Sequence, residues 1–283
     1  MFSKKVKHHN SFGIFALRMV AGLVLFGENN ILLKKSTQKI WILPHYLERF
    51  YELIRLYPFS LRQLKSVISR FGYPTSDFYK QRFNEEFTDT DKESLFESYS
   101  AFDEMYTSRL MLAYNRADFI APYLDLFQKK EVQTVLDYGA GVSDTGLILA
   151  NKGCSIDIVD LDTRKIYFTQ KRFQWRGFDA NIYPVASTEI MAEVPKKYDL
   201  IIATEILEHY RYPLQMVNWF YDHLNEGGLL LLSMGRYFEH EHGGDHLEEA
   251  FEEGMSDEYN QNFDRKFKEY NGFETLFQKK TEK

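Results

Sequence analysis

The stretch from Val132 to Asp144 constrains this chain more than any other. A short apolar run, Val132–Leu136, ends in Asp137 and opens into Tyr138-Gly139-Ala140-Gly141-Val142-Ser143, after which a helix is predicted from Asp144 or Thr145. Two glycines one residue apart, between a buried strand and a helix, mark a place where the backbone turns sharply and something approaches it closely. Beyond it, short apolar runs alternate with helical spacing. Ser155–Val159 is a second strand ending in Asp160, followed by a helix from about Thr163 to Trp175. A weaker third strand lies around Asn181–Val185 and a fourth at Asp199–Ala203. The turn Asn225-Glu226-Gly227-Gly228 introduces a fifth at Leu229–Ser233, and a hairpin runs from Phe267 through Gly272 to Phe277. This alternation predicts an α/β fold, with a largely parallel sheet covered by helices on both faces.

The part before this pattern reads differently. Apolar residues recur at three- and four-residue steps from Gln38 to Arg70 and again from Leu95 to Leu126, which predicts an α-helical amino-terminal extension. Residues 1–104 are assigned to it and residues 105–283 to the sheet-bearing domain. Charge separates the halves as well: residues 1–80 carry 13 Lys and Arg against 4 Asp and Glu, and the remainder carries 22 against 37. The basic part suits phosphate, an anionic surface or an acidic partner, or is simply solvated. Phe12–Phe26 follows three lysines and looks like a signal sequence. Arg18 in its middle costs about 2.5–3.5 kcal/mol for insertion, so it is read as an amphipathic or core-packing segment, with peripheral membrane contact through residues 1–30 as a lesser alternative. One cysteine, Cys154, excludes an intramolecular disulfide and any cysteine-cluster metal site. A cytoplasmic location is expected.

The glycine loop acquires meaning from Asp160. A carboxylate at the end of the next strand can accept hydrogen bonds from both hydroxyls of a ribose, so the pair suggests a nucleoside-containing cofactor. A dinucleotide is disfavoured, because Asp144 would set a negative charge against its pyrophosphate at the helix start. Val135-Leu136-Asp137-Tyr138-Gly139-Ala140-Gly141, Asp160, Tyr198-Asp199-Leu200-Ile201-Ile202 and Leu224-Asn225-Glu226-Gly227-Gly228 together resemble the successive motifs of class I S-adenosylmethionine-dependent methyltransferases. The resemblance covers about residues 105–283. It implies a Rossmann-like seven-stranded sheet with S-adenosylmethionine as cofactor, bound by Asp137, Gly139, Gly141, Asp160, Ser187 and Thr204. Ser143 stands where the family loop has its third glycine, and Ala186-Ser187 where an acid often faces the adenine.

Thr204-Glu205-Ile206-Leu207-Glu208-His209 follows the fourth strand, at the edge of the sheet where ligands of such folds sit. On a helical turn, Glu205, Glu208 and His209 would share one face, and that spacing suits metal ligands. His246, in Asp245-His246-Leu247-Glu248-Glu249, is the expected fourth ligand, and Mg²⁺ or Mn²⁺ the expected ion. The two segments resemble those of metal-dependent small-RNA 3′-terminal 2′-O-methyltransferases. Only Asp245, His246 and Glu249 match the second motif, whose aromatic residues are replaced by Glu248 and Ala250. Glu205–His209 also resembles the O-methyltransferases of ubiquinone biosynthesis.

These readings imply divalent-metal-assisted O-methylation of a hydroxyl beside another hydroxyl, with His209 or His246 taking the proton. A small hydroxylated metabolite is the favoured acceptor. RNA is disfavoured by the acidic catalytic half. Two alternatives stand beside this: a metal-free N-, C- or O-methyltransferase in which His209 is a base or merely structural, and a non-catalytic cofactor-binding scaffold. His240 and His242 read as a solvated loop, and Tyr106 and Arg109 as packing and capping residues.

Overall fold

A computed structural model describes residues 43–57, 103–112, 117–233, 246–270 and 272–281. Among the described residues two helices come first, α1 (Leu43–Leu56) and α2 (Asp103–Leu112), then two short ones, α3 (Ala117–Ile120) and α4 (Leu124–Lys129). The alternating part follows as β1 (Thr134–Tyr138), α5 (Asp144–Ala150), β2 (Ser155–Leu161), α6 (Arg164–Trp175), β3 (Ala180–Val185) and β4 (Tyr198–Ala203). A 3₁₀ turn at Leu207–His209 leads to α7 (Pro213–His223) and β5 (Leu224–Leu232). After these come α8 (Glu248–Gly254), α9 (Asp257–Lys266), β6 (Phe267–Tyr270) and β7 (Phe273–Lys279). Phe12–Phe26, the part of the helical spacing that runs from 58 to 70, and His240, His242 and Asp245 lie outside the described residues. The boundary expected at 104/105 falls inside α2.

The described strands form one seven-stranded sheet in the order β3-β2-β1-β4-β5-β7-β6. β1 to β5 pair in parallel, whereas β7 runs antiparallel to both β5 and β6. This is the Rossmann-like methyltransferase sheet that the sequence implied. Period-two alternation explains why both faces are covered. Leu136, Ile201 and Leu230 point into one core beneath α7, α8 and α9, while their neighbours Val135, Leu200 and Leu229 point into the other.

Two carboxylates, Asp199 half-buried and Asp157 buried, fasten the strands away from the ligand edge. Asp199 accepts the amides of Gln133 and Thr134 and the side chain of Asn225, holding the starts of β1, β4 and β5 together. Asp157 is fully buried in β2, where it accepts from Tyr198 at 2.7 Å and Asn181 at 2.8 Å and pairs with Lys196 at 3.2 Å. With those positions satisfied, the opposite edge is left for a ligand. Strand order reverses between β1 and β4, and such a switch point opens a crevice outside the carboxyl ends of the strands.

α1 and α2 sit over that crevice. Their attachment is polar as well as apolar. Leu53, Tyr57, Leu110 and Met111 pack with Val142 and Phe168. Beside them, Arg49 of α1 reaches the carbonyls of Leu110 and Met111 and pairs with Asp144 at 2.7 Å. Arg172 of α6 holds the other oxygen of Asp144 and also Glu52 of α1, both at 3.1 Å, and Glu52 in turn takes Arg176 at 2.5 Å. Among the described residues no helix is long and apolar enough to cross a membrane.

Candidate active site

The glycine loop is built on left-handed backbone. Gly139 has φ 65° and Gly141 φ 60°, and Ser143 adopts φ 50° although it carries a side chain. The amides of Gly139 and Ala140 donate to the carbonyl of Val159, which ties the loop to β2. Asp137 is buried beneath it and accepts from Ser143 Oγ at 2.6 Å and Thr145 Oγ1 at 3.0 Å. Its carboxylate therefore organises the loop from inside. A Cβ on Gly139 would overlap the side chain of Ile206, and one on Gly141 would come within 2.9 Å of Leu110 Cδ1. Both glycines thus serve close packing as well as backbone freedom.

Asp144 does not face the crevice as the dinucleotide argument supposed. It lies between Arg49 and Arg172. Burial pushes its carboxyl up, and the two guanidiniums more than reverse this and hold it below the ordinary range.

Asp160 stands at the end of β2, where the sequence put it. Its Oδ2 accepts the amide of Gly141 at 2.6 Å, and its Oδ1 accepts the amide of Leu161 at 2.7 Å and the ammonium of Lys165 at 2.9 Å. Lys165 is buried. Burial works against its charge, but Asp160, Tyr106 and Asp103 keep its pKa above the usual lysine value. Its Nζ lies 5.1 Å from the ring centre of Tyr106. A cavity opens beside this pair, and Tyr106, Leu110, Gly139, Gly141, Asp160 and Lys165 line one side of it. Tyr106 packs against the α1–α2 core as expected and is also a wall of the cavity.

Val185, Thr188, Tyr138 and Tyr210 bound the other side. Tyr210 donates to Tyr138 Oη at 3.3 Å, and burial pushes both phenols up. Ser187 is not among the lining residues; its Oγ accepts the amide of Glu189, and the neighbouring Thr188 meets the cavity instead. Thr204 is buried just after β4 and is likewise absent from the lining.

The expected helical turn after β4 is only a 3₁₀ turn over Leu207–His209. Glu205 lies outside it with φ 54°, a left-handed conformation that removes it from the face shared by Glu208 and His209. Its amide donates to Ser233 Oγ at 2.7 Å, and that hydroxyl donates to Glu205 Oε1 at 2.8 Å. Glu205 is turned toward the end of β5, although it still borders the cavity. Glu208, His209 and His246 do converge, each offering one ligand atom within 4.8 Å of the others. The amide of Leu247 donates to the carbonyl of Glu208 at 2.9 Å, pinning the His246 segment to the turn. The imidazoles of His209 and His246 meet edge to face at 5.2 Å, and His246 stacks on Phe251. His209 also lines the cavity, which joins the cluster to the glycine-loop crevice.

Lys165, Tyr138, Tyr210, Thr188 and Ile206 are site residues that motif reading passed over. Lys165 had a signal: it follows Asp160 by five residues, in the first turn of the next helix.

No curated protein sequence matches the chain. Several solved structures resemble it at low identity. StiE O-MT is 20% identical with a TM-score of 0.38, over 47% of this chain and 48% of its own. An S-adenosylmethionine-dependent methyltransferase from Clostridium acetobutylicum is 16% identical with a TM-score of 0.39, over 48% and 56%. The cyclase SpnF is 18% identical with a TM-score of 0.32, over 36% and 38%. The match spans about half the length of StiE O-MT. The family model described as a methyltransferase domain matches residues 111–275, more than half of the chain and all of β1 to β5 with the glycine loop, Asp160 and the histidine cluster, and the chain belongs to that family.

Proposed function

We propose that the chain is an S-adenosylmethionine-dependent O-methyltransferase acting on a hydroxyl that has a neighbouring hydroxyl, on a small metabolite, with a divalent ion held by Glu208, His209 and His246. The observation that carries this reading is the convergence of those three donors at the rim of the cavity formed by the glycine loop and Asp160. One carboxylate and two imidazoles fit a divalent ion and leave positions open for substrate oxygens. They favour Mn²⁺ over Mg²⁺, whose coordination is built from oxygen. Glu205, expected as a ligand beside Glu208 and His209, is left in a supporting position through Ser233.

When bound, S-adenosylmethionine supplies an electrophilic sulfonium methyl group and the ion supplies Lewis acidity. The residues of the chain do the rest. Asp160 and the glycine loop hold the nucleoside end, and Tyr106 and Leu110 of α2 exclude water from above. With His209 and His246 committed to the ion, the hydroxyl proton would pass to solvent; in the metal-free reading one of these imidazoles would accept it. Positioning of the acceptor supplies most of the remaining barrier reduction.

Calorimetric titration of S-adenosylmethionine and then Mn²⁺ into the protein, repeated with Glu208→Ala/His209→Ala, tests the reading. Metal binding that disappears in the double variant while cofactor binding stays is the expected result. Cofactor binding with no metal signal in the native protein overturns the metal and leaves a metal-free methyltransferase.

A further inference from the structure

Lys165 is a buried cation in the wall of the cofactor cavity, and nothing in the proposed chemistry calls for it. Its partner is the one carboxylate that a ribose would need. An ionised carboxylate has about four acceptor positions. Asp160 already uses three of them, on the amides of Gly141 and Leu161 and on the Lys165 ammonium. The two amides are fixed by the backbone of the loop and of β2. A cis-diol brings two donors, one more than the remaining position can serve. The only donor on a flexible stem is Lys165.

A second place for the ammonium lies next to the first. The ammonium on Asp160 already lies 5.1 Å from the ring centre of Tyr106, within the range of attraction to the face, so a move toward α2 keeps and tightens that contact. Asp103, one turn earlier on α2, is buried and accepts from Tyr57 Oη at 2.5 Å. Both acceptors belong to the helix that roofs the cavity.

We propose that Lys165 is a displaceable plug: its ammonium holds Asp160 in the ligand-free protein, and the cis-diol of a bound nucleoside takes its place, sending the ammonium to Tyr106 and Asp103 of α2. The handover rests on the cofactor reading given above. It makes α2 a sensor of the ribose, because the charge that leaves the floor of the cavity arrives on its roof. No covalent chemistry is involved.

The sign of the effect follows from removing the cation. Without it, Asp160 is a buried carboxylate lacking its charge partner, a state that costs the ligand-free protein and that two hydroxyl donors relieve. The test is calorimetry of S-adenosylmethionine with the native protein and with Lys165→Met, Lys165→Gln, Asp103→Asn and Lys165→Met/Asp103→Asn, each checked for folding by circular dichroism. Lys165→Met should bind about tenfold tighter than the native protein, with Lys165→Gln between them. Asp103→Asn should weaken binding about tenfold on its own and change nothing when Lys165 is already methionine, a coupling that a merely structural ion pair would not produce. Adenosine should show the same ordering and 2′-deoxyadenosine should not. Equal or weaker binding by Lys165→Met, or an Asp103 effect that persists in the double variant, overturns the plug and leaves the cofactor reading intact. Absence of binding by both the native protein and Lys165→Met overturns the cofactor reading and the plug with it.

Discussion

The two sides of the crevice use charge in opposite ways. On the β1–β2 side three acids have a cation beside them: Asp144 lies between Arg49 and Arg172, Glu52 between Arg172 and Arg176, and Asp160 against Lys165. On the β4–β5 side a carboxylate and two imidazoles, groups that a cation would join, are drawn together instead. The Asp144 and Glu52 clusters are complete within the chain and fix α1 and α2 over the loop, whereas the Asp160–Lys165 pair borders the cavity. The second gathers donors toward one point, the usual mark of a place where something else binds. An acidic residue near a glycine loop is therefore not evidence of a ligand until its own partners are known.

The largest expected effect tests the self-contained side. Arg172→Met leaves Asp144 and Glu52 each short of a cation in a buried setting, and should cost about 3–5 kcal/mol in urea unfolding. A loss below about 1 kcal/mol would mean that apolar contacts alone hold α1 in place. The same network carries a pH signature. Because Asp144 titrates below its ordinary 3.8 in the folded protein, its contribution is fully present above that value and is lost as pH falls through the lower, folded-state one. Asp144→Asn should flatten the fall of stability in acid, which unfolding curves collected down to the acid transition will show.

On the open side, His209→Ala should reduce methyl transfer about a hundredfold or more, roughly 2.7 kcal/mol, with S-adenosylmethionine binding retained. Glu205→Gln is the sharper comparison. Its side chain is engaged with Ser233, so it should cost about threefold or less, far below His209→Ala under the same assay. Equal losses from the two would put Glu205 among the ligands after all.

Legibility in the sequence divides along the same line. Strands β1 to β5 were readable because apolar runs of the right length alternate with helical spacing, and the glycine loop and Asp160 because backbone chemistry and strand ends leave local signatures. What pairs across long separations left none: Arg49 finds Asp144 over 95 positions, and Arg172 finds Glu52 over 120. The helical turn expected from Glu205 onward differs for a local reason. Spacing assumed a helix beginning at the strand end, whereas a single left-handed residue there rotated Glu205 out of register. The start of β5 also differs. Leu224 already pairs with Tyr198, and the Gly227-Gly228 turn is absorbed into the strand as an irregularity in its pairing with β4.

Gly139→Ala probes the loop that joins the two sides. The new Cβ meets Ile206 and the φ of 65° disfavours any L side chain, so a loss of about 2 kcal/mol is expected. Adding Ile206→Ala should recover the part owed to the clash and none of the part owed to the backbone. Denaturant midpoints of the single and double variants separate the two.

The smallest effect is expected at Ser143, where two contributions of similar size oppose. Ser143→Gly relieves a left-handed backbone at φ 50°, about 1 kcal/mol, but forfeits the hydrogen bond to Asp137, worth about 0.5–1.5 kcal/mol. The two should nearly cancel, leaving a net change within about 0.5 kcal/mol. Ser143→Ala keeps the strained backbone and loses the bond, so it should be clearly worse, by about 1 kcal/mol. If Ser143→Gly proves strongly stabilising, the hydroxyl contributes little and Asp137 holds the loop through Thr145 alone. If it proves as damaging as Ser143→Ala, the backbone strain is negligible, and the serine that replaces the family's glycine is there for its bond to the acid beneath the loop.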